Sequence, residues 1–377
     1  MNVTIIVLTG GPCGGKTAAL PILKQRLLDR GIHAITVPEE FTAMMEKGLL
    51  RPSAEFGEDY TVHFQSELAR HMISQQEALV KLSGYHKNRQ TVILLDRGVV
   101  DNLAFVPKSL RHKVTVYGHQ LETIAACMYD RVIHMQSVAV DKPHLYHNDN
   151  NEHRLETAEE SALLDSQTKE LWRYQPNYYV LDNDCSFDKK VEKALSLITD
   201  AVACPDPNHY EREQKFLLEF NPDIKERCVV IIDKYTNISA DTYLRVRKIV
   251  DISSDTIINY EATYKRGGSS LIRKEKTIAI ESDEFSNPEL LEKKKIKKLR
   301  NCITLDIGDR RYTGEVENDL SGEYSSNIME VELRSTDEPL TLDQVNKALE
   351  KYAVVAVEDV TTDSRFYNNP SIRGDND

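Results

Sequence analysis

The sequence predicts an α/β domain built on a parallel sheet, followed by a smaller α+β domain built on an antiparallel sheet. Three observations predict it. Gly10-Gly11-Pro12-Cys13-Gly14-Gly15-Lys16-Thr17 is a complete G-x-x-x-x-G-K-T phosphate loop, set between the apolar run Val3–Leu8 and the helical pattern that begins at Lys16. Short apolar runs separated by helical stretches fill the first half, the grammar of a buried parallel sheet. After the break Ala203-Cys204-Pro205-Asp206-Pro207-Asn208-His209, strands alternate charged with apolar residues, the grammar of an antiparallel sheet with one polar face.

The elements follow in order. Strands are expected at 3–8, 33–37, 91–95, 131–135 and 178–181, and helices at 16–30, 60–82, 118–128, 157–173 and 187–201. Beyond the break, Phe216–Leu218, Val229–Ile232, Tyr243–Arg247, Thr256–Tyr260, Thr277–Ile280 and Met329–Leu333 read as strands, and the lysine run 293–298 as a solvated helix face. The domain limits are 1–204 and 209–365.

Bulk properties narrow the function classes. The formal net charge is −12, which opposes general nucleic-acid binding. No apolar run reaches the length of a membrane span, and the first strand is too short for a signal peptide. Peripheral contact of the lysine run with an anionic membrane surface stays open. The 6 cysteines lack metal or disulfide spacing, so free thiols and a cytoplasmic location are expected.

The loop sets the first site. Backbone N–H groups of Gly11, Pro12-following Cys13, Gly14, Gly15 and the helix start through Ala18 are placed to cradle phosphates, with Lys16 on the β- and γ-oxygens and Thr17 on Mg²⁺. Asp96, closing the run Leu94-Leu95, is the expected carboxylate near that metal or the base for an incoming hydroxyl, with Asp101 as its neighbour. Glu39 and Glu40 either hold a substrate's hydroxyls or cap the next helix. Arg154 either closes on the phosphates as part of a lid over 141–165 or pairs with Glu156 or Glu159. The start Thr9–Pro12, the turn Asp96-Arg97-Gly98, Asp101 and Arg154-x-Glu156-Thr157 resemble the nicotinamide-riboside-kinase-like phosphate-loop family over about residues 1–200. That resemblance implies a small-molecule kinase or a nucleotide-binding switch. No N-K-x-D guanine-reading motif is present, so GTP and ATP are both open.

The second site rests on Glu211-x-Glu213-x-Lys215. On a strand these share a face, and paired carboxylates beside a lysine ask for a divalent cation and an anion. Arg245 and Arg247, Arg273 and Glu275, Lys298 and Arg300, and Glu330 and Glu332 repeat the two-residue spacing, with Lys265 near a turn. The bland alternative is the wet outer face of a half-buried sheet. The E-x-E-x-K strand, Arg245-Val246-Arg247 and Glu330-Val331-Glu332 resemble the CYTH, or triphosphate tunnel metalloenzyme, family over about residues 209–360. The resemblance implies an antiparallel β-barrel tunnel. It assigns metal (Mg²⁺ or Mn²⁺) to Glu211, Glu213, Glu330 and Glu332, and phosphates to Lys215, Arg245, Arg247, Lys265 and Arg300, with Glu275 and Asp319 as weaker candidates.

The two modules in this order resemble the TRPL translocation defect protein family. The expectation is nucleoside-triphosphate binding with Mg²⁺-dependent hydrolysis or γ-phosphoryl transfer in the first domain, and a triphosphate bound or hydrolysed in the second. Two alternatives remain: a nucleotide-regulated trafficking module that recognises phosphoinositides or a protein, and a small-molecule kinase.

Overall fold

The computed structural model describes residues 3–53, 55–85, 89–146, 156–203, 210–219, 228–239, 242–266, 272–288, 290, 294–320, 327–334 and 337–363. The chain divides into two compact units, Met1–Asp206 and Pro207–Asp377.

The first unit runs β1 (Val3–Thr9), α1 (Lys16–Asp29), β2 (His33–Val37), α2 (Glu40–Glu46), α3 (Gly57–Ser83), β3 (Thr91–Asp96), the ribbon β4 (Thr115–Val116) and β5 (His119–Gln120), α4 (Leu121–Met128), β6 (Arg131–Met135), α5 (Val138–Asp141), α6 (Ala158–Trp172), β7 (Tyr178–Leu181) and α7 (Phe187–Ala203). The sheet order is β2-β3-β1-β6-β7, and every pairing is parallel. Both faces are covered. Ile6, Leu8, Leu94 and Ile133 pack on Leu23 and Leu27 of α1 and on Val191, Leu195 and Ile198 of α7. Ile5, Val7, Ile93 and Leu95 on the other face are equally buried. This is why these strands read as unbroken apolar runs. The helix expected at 118–128 begins only at Leu121, because His119 and Gln120 pair with Val116 and Thr115 instead.

The second unit runs β8 (Tyr210–Leu218), β9 (Cys228–Ser239), β10 (Thr242–Asp251), β11 (Thr256–Arg266), β12 (Ile272–Ala279), α8 (Ser282–Ser286), β13 (Lys294–Ile307), β14 (Arg310–Asp319), β15 (Ile328–Glu332), α9 (Leu342–Leu349) and β16 (Ala356–Asp359). One antiparallel sheet has the order β12-β11-β10-β9-β13-β14-β15-β8-β16, and β8 also pairs with β12. The structure shows a large antiparallel sheet and not the closed barrel expected from the resemblance. β8 and β12 join over three residue pairs, Ile272–Arg212, Arg273–Glu211 and Lys274–Tyr210, and the far end of β8 takes β16.

One expectation is overturned. The lysine run lies in strand β13, not on a helix. Lys295 and Lys297 are exposed while Ile296 and Lys298 are buried, a period of two.

The uncharged side chains of this sheet have their own covers. Phe216, Ile303, Leu305, Val316, Met329 and Val331 pack with Val345 and Leu349 of α9. Val246 and Ala262 pack with Phe285 of α8 and with Leu290. With one face sealed this way, the alternating charged residues are forced onto the other face together.

Candidate functional sites

The phosphate loop leaves the carboxyl end of β1, between β3 and β6. In parallel α/β sheets ligands bind at such ends. Gly15 caps α1 in the left-handed region (φ 85°), where a side chain would be strained. A Cβ on Gly14 would stand 2.2 Å from the Met135 carbonyl oxygen, so the loop lies directly on the end of β6. Lys16 turns back over the loop and donates to the carbonyls of Gly10 and Gly11, both at 2.8 Å. Burial, then the charge of Arg97, lowers its pKa to about 8. The Thr17 hydroxyl donates to Asp96 Oδ2 at 2.6 Å. Burial pushes the Asp96 carboxyl up, with Lys16 opposing. Lys16, Thr17 and Asp96 are therefore gathered in one place.

Arg97, in the left-handed region (φ 74°), pairs with Glu39, lies 3.6 Å from Asp101, and donates to the Gly10 carbonyl at 3.3 Å. Glu39 makes no side-chain cap on α2. Burial would raise its pKa, but Arg97 and Lys16 hold the carboxyl below its ordinary value. Glu40 is buried apart from this group, 3.1 Å from His71. Asp101 accepts from Thr9 Oγ1 at 2.5 Å and from the Gly98 N–H at 2.7 Å, so it braces the two strand ends. Arg154 lies outside the described residues. Of the partners expected for it, Glu156 pairs with Arg51 at 2.7 Å; the neighbouring Thr157 caps α6 in a reciprocal box with Glu160.

Two supports of the loop were not legible in the sequence. Asp165 on α6 accepts from the Gly11 N–H at 2.7 Å, the Ser137 N–H at 2.9 Å and His134 Nε2 at 3.1 Å. Burial opposes its charge, yet His134 and those N–H groups hold its pKa below the ordinary value. Lys190 on α7 donates to the Gln136 carbonyl at 2.8 Å and to Asn183 Oδ1 at 2.7 Å. Neither has a local motif; chain folding alone brings them there.

In the second unit the charged residues of β8 to β15 meet on one face. Lys215 pairs with Glu213 at 2.7 Å and with Glu330. Arg247 grips Asp233 by two bonds, of 2.7 and 2.9 Å. Arg245 donates to Thr263 Oγ1 at 3.0 Å and lies 3.8 Å from Glu261. Lys265 lies 3.1 Å from Glu211 and 2.5 Å from Glu275. Lys298, 1% exposed, sits 2.5 Å from Glu317 and 3.7 Å from Asp233. Arg300 pairs with Glu315 and Glu317, and lies 4.0 Å from Glu330. The bland alternative of a wet sheet surface does not describe these residues, most of which are buried.

Glu315, Glu317 and Glu330 offer carboxylate oxygens that all lie within 4.8 Å of one another. An all-oxygen set of this kind suits a hard divalent cation. Only Glu330 belongs to the metal set expected from the sequence. Glu332 is exposed and opposite Glu213 in the β15–β8 register, and burial, then Glu211, Glu315 and Glu213, raises its pKa. Burial opposes the Glu317 charge, but Lys298 and Arg300 hold its pKa down to about 2. The side chains of Arg273 and Asp319 lie outside the described residues. Glu315-x-Glu317 repeats the two-residue carboxylate spacing, a signal that recognition of β14 as a strand would have exposed.

Among the described residues no helix is long and apolar enough to cross a membrane. Cys127 is buried and Cys13, Cys185 and Cys302 are half-buried, none of them in a disulfide. Residues 5–190 match the model of a family described as an AAA domain. No curated protein matches the chain. Among solved structures, the hypothetical protein NE1496 is 23% identical, with 43% of this chain and 97% of that one covered and a TM-score of 0.28. The inorganic triphosphatase NE1496 is 21% identical, with 43% and 94% covered and a TM-score of 0.28. The chain is thus similar to an AAA domain through its phosphate-loop half.

Proposed function

We propose that the first unit binds a nucleoside triphosphate with Mg²⁺ and acts on its γ-phosphate. The observation that carries this is the Thr17–Asp96 contact beside Lys16 at the mouth of the glycine loop. A hydroxyl and a carboxylate are the oxygen donors Mg²⁺ takes, so Thr17 and Asp96 would hold it. The ion would neutralise charge on the β- and γ-oxygens. Lys16 exchanges its two carbonyl partners for phosphate oxygens, and the incoming anion returns its pKa toward the ordinary lysine value. The loop N–H groups and the start of α1 hold the remaining oxygens. Glu39 favours transfer to a hydroxyl over hydrolysis. Its carboxylate faces Arg97 and the phosphate site and is not used as a helix cap, so it can accept a hydroxyl's proton or hydrogen bond.

For the second unit we propose that β8 to β15 form a tunnel for a triphosphate and a divalent metal. Glu315, Glu317 and Glu330, supported by Glu211, Glu213 and Glu332, would hold the metal, which supplies Lewis-acid polarisation of a phosphoryl oxygen. Lys215, Arg245, Arg247, Lys265, Lys298 and Arg300 bind and orient the phosphates. The finer form of the proposal is a TRPL-translocation-defect-type protein in which GTP binding serves trafficking.

The test is binding and turnover by the full chain. Lys16→Ala should abolish Mg²⁺-dependent nucleotide binding at the first site and leave tripolyphosphate binding at the second. Unchanged nucleotide affinity in Lys16→Ala contradicts the first assignment.

A further inference from the structure

The cations that would hold phosphate on the second unit lie against carboxylates, and Lys215, Lys298 and Arg300 lie against the same carboxylates that would hold metal. Lys215 touches Glu213 and Glu330. Arg300 touches Glu315 and Glu317. Lys298 is shared between Glu317 and Asp233. A buried cation with a buried carboxylate against it offers little to an arriving anion, because the anion must first displace that carboxylate. A metal ion drawn to Glu315, Glu317 and Glu330 must in turn compete with Arg300, Lys298 and Lys215.

We infer that this face is self-neutralised until ligands arrive, so that divalent metal and oligophosphate bind it with strong positive coupling. Its ligand is then the metal–oligophosphate complex and not either ion alone. The inference rests on the tunnel reading proposed above. Metal on the carboxylates frees Arg300, Lys298 and Lys215 for phosphate oxygens, and phosphate on those cations frees the carboxylates for metal. By linkage each ligand strengthens the other by the same factor. No covalent step is involved.

The coupling has a signature that a plain metal site lacks. Neutralising a carboxylate that occupies a phosphate-binding cation should tighten metal-free binding of the anion. Glu330→Gln leaves Lys215 with Glu213 as its carboxylate and relieves Arg300. Glu338→Gln removes the same formal charge at an exposed position between β15 and α9, outside the proposed metal and phosphate sets, so it controls for the general change in field.

The experiment is calorimetric titration of tripolyphosphate into the full chain carrying Lys16→Ala, which silences the first site, in EDTA and in Mg²⁺. The parent should bind at least about tenfold more tightly in Mg²⁺ than in EDTA. In EDTA, Glu330→Gln should bind at least about tenfold more tightly than the parent, and Glu338→Gln within about twofold of it. Glu315→Gln, at the more exposed end of the face, should move in the same direction as Glu330→Gln and serves if the latter fails to fold. Mg²⁺-dependent binding with no gain in either variant over Glu338→Gln overturns the coupling and leaves the tunnel reading standing. No binding of tripolyphosphate in either medium removes the tunnel reading and the coupling with it.

Discussion

The two proposed anion sites, at the phosphate loop and on the charged sheet face, would be assembled from opposite materials. In the first, the chain's own N–H groups and the end of α1 supply most of the positive field, and one lysine and one hydroxyl complete it. Such a site needs few charges, and those it has are spread over a contiguous run. In the second, the backbone is spent on strand pairing, so charge must come from side chains on many strands. Buried side-chain charges must be neutralised while no ligand is present, and here each cation carries its own carboxylate. The difference teaches that a backbone-built site needs few buried charges, whereas a side-chain-built site must carry its own counter-charges.

The comparison breaks most visibly in stability. Lys298→Met leaves Glu317 and Asp233 buried without their shared cation. The loss should be about 3–5 kcal/mol, read as a fall in the denaturation midpoint of the second unit's transition. Lys16→Ala should leave the first unit's transition nearly unmoved, yet lower its nucleotide affinity on the order of a hundredfold, measured by fluorescent-nucleotide titration. Equal stability losses in the two variants would erase the distinction between the sites.

Acid sharpens it further. Glu317 and Glu275 have folded pKa values of about 2 against an ordinary 4.5. Their stabilisation is fully present above about 4.5 and is lost as pH falls toward about 2. Melting scans should therefore show the second unit weakening across that window. For Lys16 the slope has the same sign but lies at alkaline pH. Its folded pKa of about 8 lies below the unfolded 10.5, so between those values the unfolded chain binds the extra proton and ligand-free stability rises with pH. Nucleotide affinity should fall over the same range, because binding requires the protonated amine. A pH-independent affinity from 7 to 10 would count against Lys16 as the phosphate ligand. The smallest effect is at the surface. Arg26→Gln breaks a pair with Glu192 that is largely solvated and should cost less than about 1 kcal/mol.

How much was legible follows from the same contrast. Gly10 to Thr17 announce the first site because every part of it is adjacent in sequence and its glycines are fixed by close backbone approach. Asp96 was legible as the charged end of an apolar strand. Asp165 was not, because it meets Gly11 across 154 residues with no local pattern. In the second unit the two-residue spacing exposed Glu211, Glu213, Lys215, Arg245, Arg247 and Glu330. Lys298 showed the spacing with Arg300 but sat in a run that reads as a solvated helix until the burial of Ile296 and Lys298 reveals its true period, and Glu317 was missed because β14 was not recognised as a strand. Asp233 stands alone in its strand's charged positions, so spacing had nothing to act on.

The account claims two separate oligophosphate sites on one chain. The most direct measurement is the binding stoichiometry of a non-hydrolysable nucleoside triphosphate and of tripolyphosphate, each with Mg²⁺, on the full chain and on Lys16→Ala and Arg300→Met. The account predicts that Lys16→Ala loses the nucleotide equivalent alone and Arg300→Met the tripolyphosphate equivalent alone. Loss of both ligands in either variant, or retention of both in both, would contradict it.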